Sequence, residues 1–356
     1  MIRRLPWDLI GVAIFALFPL IPGLDVWVDS QLKCTAGAEF TTLFIVAILA
    51  LGLNVVVGYA GLLHLGIVAF FGIGAYTTGI LLVTVYPFQF GTLFPAGIGI
   101  LLTMFLAALA ASVVSVLTSA PMLRLRGDYF ALVTLGFGEV VRFALRNLEE
   151  ITNGTKVLGP IPPPKVPGLN GDWSADYRYF YFLSLIVLFV VLLLLRNLER
   201  SRLGRGWIAL REDELAATCM GLNTARLKLA AFALGAALAG LAGSLYAMRL
   251  GNTADPDTYS FQRSIIVLCC LILGGLASRP GVLLGVILVY GFDGIFAPAA
   301  DRYIQEWKLN PNDSPFRNFS SYRLLLFGLA LVLVMRFRPE GLWPSRRVRD
   351  ELHEGK

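Results

Sequence analysis

Val187 to Leu195 is nine apolar residues without a break, and Leu324 to Met335 is interrupted only by Gly328. Blocks of this kind recur along the chain. A helix of a soluble domain carries one apolar stripe; a helix apolar all round is buried or crosses a membrane. Crossing takes roughly 20 mostly apolar residues, about 17–25 in practice. Composition points the same way, with 56% hydrophobic and 15% charged residues, where soluble chains run at about 25% charged. The sequence is that of an all-α polytopic membrane protein, with one transmembrane domain expected over residues 1–356.

Several function classes fall with that reading. Cys34, Cys219, Cys269 and Cys270 are too few and too scattered for a disulfide framework. Cys269 and Cys270 sit in an apolar run and read as small core residues. His64 and His353 cannot make a His-rich metal site. The net charge of +6 does not imply nucleic acid, because membrane proteins collect Lys and Arg on cytoplasmic loops.

Ten spans are expected: Trp7–Leu24, Phe40–Val57, His64–Val85, Leu93–Leu117, Tyr129–Leu148, Tyr179–Leu195, Leu229–Met248, Gln262–Ala277, Gly281–Ala300 and Tyr322–Phe337. The first follows Arg3 and Arg4 as a secretory signal would, but no small-residue cleavage pattern comes after it, so a retained helix is expected. Ten spans place both termini on one side. With residues at span ends counted among the adjoining loops, that side carries 18 Lys and Arg, against 11 on the other, with Arg142 deeper inside a span. By the positive-inside rule both termini are cytoplasmic. Residues 147–178 and 301–321 then form long external loops, 196–228 a cytoplasmic loop and 338–356 a cytoplasmic tail.

Glycine clusters at Gly52, Gly58, Gly61, Gly66, Gly72, Gly74 and Gly79, and again at Gly274, Gly275, Gly281 and Gly285. One reading is close helix packing. The other is that Gly58 to Gly61 breaks a helix inside the bilayer. Such unwound backbone persists only where protein or a water-filled cavity covers it, as on a transport path.

No P-loop, zinc-protease or nucleophile-elbow motif is present. A membrane enzyme would need an active-site cluster that the sequence does not show. An ion-coupled secondary transporter would carry several intramembrane carboxylates or histidines, and the candidates within spans are few: Asp8, Glu139, Arg142 and Asp293. Glu139 and Arg142 are three apart and share a helix face. They form either a structural ion pair or part of the path or its gate.

Residues 205–223 are too polar to span. The stretch reads as a short Ala-rich helix stopped at Gly221, which would lie either in a partner's groove or at the lipid headgroups.

Ala209 to Ala217, then Gly221-Leu222-Asn223 and Lys228 to Phe232, resemble the inner-membrane permeases of branched-chain amino-acid ABC importers, LivM type. Gly52 to Leu63 with Leu65-Gly66, Ala69-Phe70 and Gly74-Ala75-Tyr76 is similar to the family's early motif, and Leu123 to Glu139 to its central one. Leu273 to Ser278 with Gly281, and Arg338 to Leu342, complete five motifs in order.

The resemblance implies a type II ABC importer permease of about ten helices in the bacterial inner membrane. It implies a second homologous permease, two ATPase subunits that bind the ATP, and an extracytoplasmic substrate-binding protein; no cofactor is expected on this chain. It also implies that Arg211, Glu212, Asp213, Glu214, Ala216, Ala217 and Gly221 belong to a coupling helix seated in the ATPase. Asn54, Gly58, Gly61, His64, Glu139 and Arg142 are the candidates for the path or its gate. His64 and residues 153–167 depart from the family pattern, which leaves urea, short amides or other amino acids as alternative substrates.

Overall fold

A computed structural model describes residues 11, 15, 18–20, 36–83, 96–123, 128–163, 177–306, 322–338 and 341–344. Every regular element among them is helical. Helix α1 (Ala36–Leu53) runs on as a π-helical turn, Asn54–Tyr59. It is followed by α2 (Ile67–Leu82), α3 (Ala96–Met122), α4 (Asp128–Asn147), the single turn α5 (Glu149–Thr152) and α6 (Tyr177–Arg200). Two short helices, α7 (Arg202–Glu212) and α8 (Glu214–Cys219), lead to α9 (Thr224–Leu250) and α10 (Phe261–Gly274). Helix α11 (Arg279–Gly291) continues through a second π turn, Phe292–Phe296, into α12 (Ala297–Glu306), and α13 (Arg323–Phe337) follows.

Among the described residues, five helical stretches are long and apolar enough to cross a membrane: Gly37–Tyr59, Gly99–Met122, Tyr177–Arg200, Thr224–Leu250 and Arg279–Tyr303. Ile67–Leu82, Phe261–Gly274 and Leu325–Phe337 are shorter apolar helices. These eight match eight of the expected spans. The expected Tyr129–Leu148 is helical as α4, which carries Glu139, Arg142 and Arg146. The expected Trp7–Leu24 lies mostly outside the described residues.

Two boundaries differ from expectation for a backbone reason. The span expected from His64 becomes helical only at Ile67, since Gly61 takes φ +70 and residues 61–66 run outside any helix. The span expected to reach Ala277 stops at Gly274, because Gly275 and Ala277 both have positive φ.

The chain divides into two compact units. One comprises the described residues within Ile48–Asp176 and Leu193–Leu268. Its centre is α9, started by the Asn223 side chain accepting from the Arg226 N–H at 3.0 Å and packed along α2 and α3. Small residues bring the backbones together. A Cβ on Gly52 would stand 2.8 Å from the Gly235 carbonyl oxygen, and one on Gly74 or Gly243 would run into the backbone of Gly240 or Phe71. Gly52 and Gly74 therefore serve close packing.

The other unit comprises the described residues within Met1–Ala47, Tyr177–Leu192 and Cys269–Lys356. Gly274 and Gly285 bring the end of α10 against α11. The tail turns back to pair with α10, the Leu342 and Trp343 N–H groups each donating at 2.9 Å to the Leu273 and Gly274 carbonyls. An apolar cavity of about 180 Å³ in this unit is lined by Phe15, Phe44, Leu188, Leu284, Ile287 and Trp343 among others.

Candidate functional site

The polar stretch after α6 is built as a braced pair of short helices. Ser201 caps α7 by accepting from the Gly204 N–H at 3.2 Å. Trp207 is fully buried and its indole N–H donates to the Leu227 carbonyl at 2.8 Å, which fixes α7 to the start of α9. Asp213 then ends one helix and begins the next: its extended backbone breaks α7, while its carboxylate accepts from the Leu215 and Ala216 N–H groups at 2.7 and 3.1 Å. An Asp at this position satisfies amides at a helix start that have no intrahelical acceptor. The stop is Gly221, at φ +82 with open space where a Cβ would be.

The candidate residues of this segment have distinct surroundings. Glu212, Asp213, Ala216 and Gly221 are exposed. Glu214 pairs at 2.6 Å with the buried Lys228 of α9. Ala217 is buried, only 4% exposed, so its methyl packs within the chain; on α8 and the residue after it the large apolar side chains facing out are Leu215 and Met220. Arg211 is half-buried and its Nη1 donates to the Gly58 carbonyl at 2.6 Å.

Gly58 lies in the π turn Asn54–Tyr59, and Gly61 packs on Arg211. The Tyr59 hydroxyl donates to the Glu199 carboxylate at the end of α6. Asn54 is buried at the start of the same turn. His64, also buried, stands with its ring 5.7 Å from both Phe70 and Phe232. Five residues singled out from sequence, Arg211, Gly58, Gly61, Asn54 and His64, are thus gathered at one end of this unit.

Glu139 and Arg142 belong to the opposite end. Arg142 Nε donates to Glu139 Oε2 at 2.8 Å, and its Nη1 reaches Asp257 Oδ1 at 2.6 Å. Glu139 Oε1 accepts from the Phe261 N–H at 3.1 Å, at the start of α10. Beside this cluster, segment 158–161 pairs with 251–253: the Thr253 N–H donates to the Leu158 carbonyl at 3.0 Å and the Ile161 N–H to the Gly251 carbonyl at 2.7 Å. From Lys228 to Leu250, α9 separates the two ends by roughly 33 Å at 1.5 Å per residue. Segments that the charge count assigns to one side of the membrane therefore bond to one another at one end of the unit.

Sequence reasoning missed Asp257, Glu199, Lys228 and Trp207. Only Trp207 carried a local signal, a lone large aromatic within a polar stretch.

Residues 38–335 match the family model described as branched-chain amino acid transport system / permease component. The chain belongs to this permease family. It is 38% identical over 339 residues to the high-affinity branched-chain amino acid transport system permease protein LivM of Salmonella typhimurium, covering 90% of this chain and 72% of the relative. A probable branched-chain amino acid transport permease LivM of Methanocaldococcus jannaschii is 26% identical over 325 residues, covering 85% and 91%. LivH of Escherichia coli K12, a permease of the same kind of system, is 27% identical over 208 residues, covering 56% and 59%. No solved structure matches. The braced helix pair, the π turn and the Glu139–Arg142–Asp257 cluster all lie within the residues that match the family model.

Proposed function

We propose that the chain is the permease subunit of an ABC importer for branched-chain amino acids, working in the bacterial inner membrane with both termini cytoplasmic. It contributes the translocation path. A second homologous permease completes that path, two ATPase subunits bind the ATP, and an extracytoplasmic binding protein delivers substrate; this chain carries no cofactor of its own. Residues 196–228 act as the coupling loop, 147–178 as an external loop and 338–356 as the cytoplasmic tail. The observation that carries this reading is the braced pair α7–α8. A soluble helix pair tied to the membrane helices by Trp207 and Lys228, and presenting Leu215 and Met220 outward, suits docking to a protein. The substrate is taken from the names of the relatives.

The test is uptake into vesicles containing the chain with an ATPase and a second permease of the family, supplied with a binding protein. Leucine uptake should require ATP and be competed by isoleucine and valine. Uptake driven by an ion gradient without ATP would identify a secondary transporter instead. Competition by urea or short amides, with leucine inert, would move the substrate assignment within the same architecture.

A further inference from the structure

The turn Asn54–Tyr59 is a π helix at the end of a membrane-crossing stretch, a form that occurs mostly as isolated turns and often at functional positions. Its residues are buried except Val57, which is half-buried. On one flank Val56 packs with Phe130 and Phe232. On the other, the carbonyl of Gly58 lies in the final turn of a helix, where carbonyls lack intrahelical donors, and Arg211 supplies the hydrogen bond at 2.6 Å. Gly61, three residues on, has φ +70; a Cβ there would stand 2.8 Å from Arg211 Cγ and 3.4 Å from its Cα. The chain leaving the π turn is moulded onto this one arginine.

Arg211 also has a particular place in its own helix. It is the next-to-last residue of α7, two before Asp213, where the chain turns into α8 with its exposed Leu215. The rest of α7 is held to α9 by buried Trp207. A displacement of α8 about Asp213 therefore reaches Arg211 before it reaches the anchored part of α7.

We propose that Arg211 is a positioning residue that holds the π turn Asn54–Tyr59 through the Gly58 carbonyl and transmits movement of α8 to it. This rests on the importer reading above. The hydrogen bond is charge-assisted and half-buried, so its loss uncouples the two elements without removing the surface that docks the partner.

The test uses the full assembly with Cys34 and Cys219 replaced by Ser, and a thiol probe at Val57→Cys beside the Gly58 carbonyl. With Arg211 present, labelling at position 57 changes when ATP binds. Arg211→Gln retains the ATPase on co-purification, loses uptake by roughly tenfold, the scale of one hydrogen bond to a charged group, and labels at one rate with or without ATP. Arg211→Lys, whose ammonium still reaches a carbonyl, recovers most of the uptake. Gly61→Ala displaces Arg211 without altering its charge and reproduces the loss and the fixed labelling. Native uptake with ATP-responsive labelling in Arg211→Gln, or in Gly61→Ala where the former does not fold, overturns the proposal. So does loss of the ATPase from the Arg211→Gln complex, which would place Arg211 in docking alone. A native assembly without ATP-dependent uptake is a different result, because it removes the importer reading itself.

Discussion

Arg142 holds Asp257, 115 residues away in sequence, more tightly than sequence spacing suggests: Nη1 to Oδ1 is 2.6 Å, while Nε of the same guanidinium keeps Glu139 at 2.8 Å. The pair expected on one helix face is thus a three-membered cluster. It ties α4 to the loop before α10, with Arg146 as an outer partner of Asp257 at 3.6 Å.

That arrangement changes what the double variant should show. Removing Glu139 leaves Arg142 with Asp257, whereas removing Arg142 leaves Glu139, among the described residues, with the Phe261 N–H. Arg142→Leu should therefore destabilise more than Glu139→Gln. A cost of about 1–3 kcal/mol is reasonable for a hydrogen-bonded charge left without its main partner. Asp257 is 55% exposed, so Asp257→Asn should cost about 1 kcal/mol or less, screened further by salt. Thermal unfolding in detergent with the three single variants and the Glu139–Arg142 double variant measures this. Strictly additive effects would show that the cluster is not coupled.

The glycine seam predicts a sharper contrast. A Cβ at Gly74 meets the Gly240 backbone, which cannot step aside as a side chain can, while one at Gly136 meets nothing within 4 Å. Gly74→Val should separate α2 from α9 and cost about 1–3 kcal/mol, the range for overpacking, with a lower yield of folded protein. Gly136→Ala should leave yield unchanged and, in a helix interior, stabilise slightly. Equal behaviour of the two variants in size-exclusion and thermal assays would contradict the packing of α9.

Sidedness can be measured directly. Thr155 and Arg205 are both exposed, the first beside the segment that pairs with 251–253 and the second in α7. In a background with Cys34 and Cys219 replaced by Ser, an impermeant thiol reagent added to intact cells should label Thr155→Cys and leave Arg205→Cys unreacted until the membrane is opened. Labelling of both from outside would reverse the charge-based orientation.

Much of this was legible in the residues, and the parts that were not share a physical cause. Long apolar runs mark a helix wherever they fall, so eight spans have apolar helical counterparts. The ends at Gly61 and Gly275 were not legible because hydropathy does not register a positive φ. Arg142 and Glu139 met as their spacing required, but Asp257 joins them only through the packing of α4 against the loop after α9. Ala217 shows the limit most plainly. Helix α8 has six residues, under two turns, too few for a pattern to define a face. Small residues there suggested a surface for a partner, yet Ala217 is turned inward.

That orientation decides how docking should be tested. Leu215 is 66% exposed and Met220 82%, the most exposed large apolar side chains of a polar loop that also shows Leu203 at 42%. Among the described residues nothing covers these apolar side chains, and an interface with a protein would bury them; covering a Leu or Met side chain contributes about 1.5–3 kcal/mol. Leu215→Glu and Met220→Glu should each weaken co-purification of the ATPase and reduce uptake, the pair together by roughly 3–6 kcal/mol of binding, or about 100-fold or more. Neither should lower the thermal stability of the isolated chain. Ala217→Glu should do the reverse. It forces a carboxylate into a site that is 4% exposed, so it should loosen α8, and any loss of docking should come with a lower unfolding temperature. Intact ATPase binding in the Leu215–Met220 double variant would remove α8 as the docking surface.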